Sequence, residues 1–177
     1  GNVLEIDVGM DDPFNLQRFV DAQRGAYARA TAELRQGAKR SDWIWYIFPQ
    51  MRGLGHSATS QRYGIASPDE ARAYLSHPLL GPRLVECTKL AIKANAPSAA
   101  SLFPHPDDLK FRSSMTLFAS VAEVPNVFET ALEKYYGGEP DPKTLRLLSE
   151  AQQKREMPGA SPQIGSQQKT SPERSSG

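Results

Sequence analysis

Cysteine is almost missing from this chain. A single one, Cys87, stands among 177 residues, so no disulfide can close within it. A reducing interior such as the cytoplasm is the simple reading of that scarcity. Histidine is nearly as rare: His56, His77 and His105 are scattered, with neither HxxxH nor HExxH spacing, and no metal site is expected. An excess of one charge is lacking too. Lys and Arg number 21 against 20 Asp and Glu, a formal net charge of +1, which leaves no electrostatic footprint for nucleic acid or an anionic membrane. No apolar run approaches the roughly 18 residues of a membrane span. The opening GNVLEIDVGMDDPFN has neither the basic nor the apolar region of a signal peptide. Neither a GxxxxGK[ST] phosphate loop nor a GxSxG elbow occurs, and no cofactor motif is visible.

What is present reads as one helical domain. The length suits a single core. The last twenty residues, PGASPQIGSQQKTSPERSSG, carry no apolar periodicity and cannot offset their own ordering entropy. A flexible start (1–12), a domain (13–153) and a disordered tail (154–177) are expected. Phe14 to Gln36 carries Leu16, Phe19, Val20, Tyr27, Ala30 and Leu34 at helical spacing, with Asp11 or Asp12 as cap and Pro13 at the first position. Trp43 to Phe48, entered by Ser41-Asp42 and stopped by Pro49, reads as a short helix. A strand is the alternative there, given its aromatic and β-branched residues. Residues 49–57 are a loop. Helical turns or helices follow at Thr59–Tyr63, from Ser67-Pro68 to Ser76, at Leu80–Ala94 and at Ser98–Phe103. Further ones run from Pro106 to Ala122, over Val127–Tyr136 and over Lys143–Gln153. The expected fold class is all-α, a compact multihelical domain rather than an up-down bundle, because the helices are short and unequal.

Two stretches can carry chemistry. In DDLKFRSSMTLFASVA, Phe111, Met115 and Phe118 form an apolar stripe, with Lys110, Ser113, Ser114 and Leu117 beside it and Asp107 one turn earlier. Either this polar border meets water, with Asp107 and Lys110 as an ion pair, or Lys110 and Ser114 line a pocket for an anionic or polar ligand. In SDWIWYIFPQMRGLGHS, both tryptophans, Trp43 and Trp45, precede a loop with Gly53 and Gly55. Those glycines permit positive φ and close backbone approach, and Gln50, Arg52, His56, Ser57 and Ser60 add donors. An exposed indole beside the loop would be a stacking platform for a flat ligand; otherwise the aromatics are core. Cys87 lies on the apolar face of its helix and reads as a small core residue.

The blocks RSDWIWYIFPQMRGLGHSATSQRYGIAS, DEARAYLSHPLLGPRL and DDLKFRSSMTLF, in that order, resemble the bacterial family called domain of unknown function 1810, or Rv1873-like. The resemblance spans residue 14 to about 148. It implies a multihelical fold and no established activity. It also draws attention to Trp43, Trp45, Gln50, Gly53, Gly55, Ser57, Tyr63, Arg83, Asp107, Lys110, Ser113 and Ser114, several of them polar residues that a core alone does not require. Residue 56, where the family pattern is usually basic, is histidine here.

The expected function is the binding of a small anionic ligand, a nucleotide or ADP-ribose derivative, between the 43–60 segment and the 107–118 helix. Trp43 or Trp45 would stack on it. The loop, Tyr63, Arg83, Ser113 and Ser114 would hold it, and Asp107 with Lys110 would act as acid or base if there is a reaction. The alternative is an interaction module presenting Trp43 and Trp45 to a partner protein. Oligomeric state is left open.

Overall fold

The computed structural model describes residues 11–155. The expected loose start and tail lie outside that range, apart from residues 11, 12, 154 and 155. Nine helices follow one another among the described residues: α1 (Gln17–Gln36), α2 (Ile44–Ile47), α3 (Ala58–Arg62), α4 (Pro68–Ser76), α5 (Leu80–Lys93), α6 (Ala99–Leu102), α7 (Asp107–Val121), α8 (Val127–Tyr136) and α9 (Pro142–Arg155). The only pairing of strand type among them is an isolated bridge between Met51 and Ile65. The fold is all-α.

Local chemistry explains most boundaries. Ser67 accepts from the Glu70 amide and Pro68 opens α4; Asn126 and Glu129 close a capping box at α8. Gly37 at φ 83° ends α1 in the left-handed conformation that glycine adopts without penalty. The start of α1 differs from the expected Phe14. Asn15 sits at φ 54°, so the chain turns once more before the helix begins. Asp12 still caps it from a distance, accepting from the Leu16 and Gln17 amides at 2.8 and 2.9 Å.

α7 is the hub. It packs on α4, α6, α8 and α9, and touches α2. Its predicted stripe, Phe111, Met115 and Phe118, is fully buried, but so is every residue from Ser113 to Phe118. Of the polar border, Ser113 is covered by Asp141 at the start of α9 and Ser114 is buried, while Lys110 stays half-buried with the expected ion pair to Asp107. Two aromatic clusters lock the hub. Phe103 stacks on Phe111 at 4.3 Å, with Phe48 edge-on at 4.9 Å. On the other side Phe19, Tyr74, Phe118 and Phe128 form a chain with successive centroids 5.1, 5.5 and 5.8 Å apart. Each such pair adds about 0.5–1.5 kcal/mol beyond area burial.

Buried charge is fully partnered at the joint between α1 and α4. Arg18 reaches five acceptors: the Phe14, Asn15, Arg62 and Gly64 carbonyls and the Glu70 carboxylate at 2.8 Å. Every guanidinium N–H is used. Glu70 accepts from the Ala66 amide with its other oxygen. The α4–α5 joint is tighter still: a Cβ on Gly81 would lie 2.1 Å from the Leu75 carbonyl oxygen. No helix among the described residues is long and apolar enough to cross a membrane.

Candidate functional site

Trp43 and Trp45 part company at the entrance to α2. Trp43 is the residue before the helix, at φ −147°, and its ring turns inward to 0 % exposure. Its indole N–H donates to Glu33 at 2.7 Å. Glu33 also accepts from the Arg40 amide and from the Ser41 amide and hydroxyl. Burial alone would raise the Glu33 pKa, but these donors outweigh it and hold the carboxyl at about 2. Trp43 is therefore a core residue and offers no stacking face.

Trp45, two residues further on, is half-buried and lines an open cleft of about 420 Å³. That volume suits a small-molecule ligand. One wall is the loop after α2, with Gln50, Leu54, Gly55, His56 and Ser57; the facing wall comes from α7 and the start of α9. Lys110, Arg112 and Lys143 bring positive charge to it, and Asp141 is its acidic residue. Among the lining residues three cations stand against one carboxylate, though Lys110 pairs with Asp107 and Arg112 with Glu139.

Lys110 is held in place. Its ammonium lies 5.2 Å from the Trp45 ring centroid and 3.2 Å from Asp107 Oδ1. Asp107 Oδ2 is taken by Lys39 at 2.6 Å, and Lys39 in turn lies over Trp43 at 5.3 Å. Both oxygens of Asp107 are thus in ion pairs. The role this geometry supports for Asp107 is the orientation of Lys110. Lys110 keeps donor capacity beyond that one bond.

Asp141 is anchored as firmly. It precedes α9 and its Oδ2 accepts from the Thr144 amide at 3.1 Å, the Thr144 hydroxyl at 2.5 Å and the Ser113 hydroxyl at 3.0 Å. Its own amide donates to Thr116 Oγ1 at 2.8 Å. Oδ1 accepts from no donor among the described residues.

Gln50 departs most from ordinary core chemistry. It is only 7 % exposed, yet its carboxamide makes no hydrogen bond among the described residues, and it lines the cleft. Its amide atoms are not sealed from solvent. The Trp45 indole N–H is buried without a partner.

The remaining expected site residues fall in two groups. Gly55, His56, Ser57 and Ser113 line the cleft with Trp45, Gln50 and Lys110. Gly55 is required because a Cβ there would meet Ser60 Oγ at 2.8 Å, so the loop folds tightly on α3. Gly53 takes φ 108° and faces Leu147. Outside the cleft, Tyr63 packs edge-on to Tyr46 at 4.8 Å. Arg83 lies over Tyr27 at 4.3 Å and donates to Gln23. Ser114 is wholly buried in α7, its hydroxyl unpartnered. Cys87 is buried in the core, and burial pushes its thiol up to about 12. Among the described residues no three or more His, Cys, Asp or Glu gather where they could hold a metal ion. Asp141, Arg112, Lys143, Leu54, Pro106 and Leu109 are cleft residues that the sequence reading did not single out. Only Asp141 had a visible signal, as the residue before a helix-opening proline.

The family model described as "Protein of unknown function (DUF1810)" matches residues 13–148. The chain belongs to this family. It is also similar to a solved structure, the conserved hypothetical protein Rv1873 from Mycobacterium tuberculosis, with 52% sequence identity and a TM-score of 0.76. That match covers 78% of this chain and 99% of the other. No curated protein matches. The TM-score means that this chain and the neighbour share a fold, and neither description states an activity.

Proposed function

We propose that the cleft binds a small phosphate-bearing ligand, of the nucleotide or ADP-ribose kind. The observation that carries this reading is open polarity on the wall of a concave cleft: the Gln50 carboxamide makes no hydrogen bond among the described residues, and the Trp45 indole N–H is buried without a partner. Interiors seldom tolerate such a group unless something else bonds it. The charge around it names the ligand's sign. Lys110, Arg112 and Lys143 line the cleft with the single carboxylate of Asp141, although Arg112 also pairs with Glu139 at 3.7 Å. Lys110 is fixed by Asp107 and Trp45 before any ligand arrives, which lowers the ordering cost of binding. The other expectation, an interaction module presenting both tryptophans, draws no support from Trp43, which is buried.

Thermal denaturation with AMP, ADP-ribose and pyrophosphate, with uncharged adenosine as control, tests the reading. At least one of the anions raises the melting temperature, adenosine does not, and Lys110→Ala loses the shift while remaining folded. A flat response to all three anions at about 10 mM would mean that the cleft holds no such ligand.

A further inference from the structure

The unused oxygen of Asp141 says more about what the cleft accepts. Deepening the reading above, and resting on it, we infer that Asp141 is a specificity residue whose Oδ1 accepts a hydrogen bond from a ligand hydroxyl. The cleft then selects phosphorylated sugars over phosphates that lack the hydroxyl.

The carboxylate is not free to choose its geometry. Three donors, from Ser113 and Thr144, hold Oδ2, and the Asp141 amide is fixed by Thr116. Thr116 is itself tied to the Arg112 carbonyl at 2.8 Å. With one edge bound by protein, the other is pre-aimed, and a pre-aimed acceptor discriminates well because a mismatched ligand leaves it unpaired.

A carboxylate oxygen accepts from charged donors, such as an ammonium or guanidinium, and from neutral ones, such as a hydroxyl or an amide N–H. The surroundings favour a neutral donor, and the hydroxyl is the one a phosphorylated sugar carries. Lys110, Arg112 and Lys143 line the same cleft, and a cationic ligand group would be repelled by them, whereas a hydroxyl carries no charge. Gln50 adds to the case. Its carboxamide can donate to one hydroxyl and accept from another, so it serves a polyol better than a bare anion. The same three cations supply the complement to a phosphate. Ligand hydroxyls and phosphate thus find separate partners on opposite sides of the charge balance. The cleft's volume of about 420 Å³ leaves room for a sugar bearing both.

The test compares ribose 5-phosphate, 2-deoxyribose 5-phosphate and pyrophosphate by titration calorimetry on the full chain and on Asp141→Asn. Asparagine preserves the helix cap but turns the open edge into one that presents either an acceptor or an amide donor. Its fold is checked by circular dichroism and melting temperature. Ribose 5-phosphate is expected to bind about 10-fold or more tighter than its deoxy analogue to the native chain, and less than about 3-fold tighter to Asp141→Asn. Equal binding of the two sugars by the native chain overturns the inference and leaves the anion cleft standing. So does discrimination that survives in a folded Asp141→Asn. Pyrophosphate binding with neither sugar bound likewise overturns it alone. No binding by any of the three overturns both readings.

Discussion

Trp43 and Trp45 are two positions apart, each with a lysine over its ring, and both lysines hold the same carboxylate, Asp107. Yet one indole belongs to the core and the other to the cleft. Trp43 has its N–H satisfied by Glu33; the Trp45 N–H has no partner. The contrast extends outwards. On the core side, Glu33, Arg18 and Glu70 have their hydrogen-bonding capacity filled by protein. On the cleft side, the Gln50 carboxamide and Asp141 Oδ1 do not. Satisfied buried polar groups hold this fold together. In the cleft, open polar groups gather, whereas Ser114 is a lone unpartnered hydroxyl within the core.

The largest break in that comparison comes from the best satisfied group. Arg18→Met leaves Glu70 buried without its counter-charge and takes a donor from each of four carbonyls. A loss of about 3–5 kcal/mol is expected by urea denaturation. The tryptophans give a direct pair. Trp43→Phe removes a buried bond to a carboxylate and opens a void, at about 2–3 kcal/mol. Trp45→Phe deletes an N–H that bonds nothing and stays within about 0.5 kcal/mol of the native chain. Equal losses in the two would erase the distinction between core and cleft.

A smaller, pH-dependent effect sharpens the core side. The Glu33 pKa falls from its ordinary 4.5 to about 2 in the folded chain. Its contribution is therefore present above about pH 4.5 and lost as pH falls towards 2. Allowing for solvent screening at its rim, Glu33→Gln is expected to cost about 1–2 kcal/mol at pH 7. It should also flatten the acid limb of a stability–pH curve. His77 adds a second, milder slope. Burial lowers its pKa, with Asp12 opposing, while its Nδ1 accepts from the Leu79 and Leu80 amides. Stability that rests on the neutral ring is present above its ordinary value of 6.5 and erodes as pH drops below it.

The fold was legible wherever a boundary is written locally. Ser67-Pro68 and Asn126 place the starts of α4 and α8, and the reading of Val127–Tyr136 coincides with the helix. It was less legible at Asn15, whose left-handed turn delays α1, and in α7, where periodicity could not foresee that the start of α9 covers Ser113. The site was half legible for a related reason. Trp45, Gln50 and the glycine loop are contiguous, and Asp107 with Lys110 are one turn apart. Lys39 and Asp141 are brought in by tertiary packing from far along the chain, and sequence spacing carries no trace of it. Which tryptophan faces the cleft depends on a single backbone angle at Trp43, outside any helical period.

Two tryptophans, one in each region, offer the most direct test of the central claim. In Trp43→Phe, Trp45 is the sole tryptophan. Titrating that variant with ribose 5-phosphate, and separately with pyrophosphate, is expected to give a saturable change in Trp45 emission, absent when Lys110→Ala is added. An emission that stays constant through about 10 mM of both, in protein shown to be folded, would contradict the assignment of the cleft as a binding site.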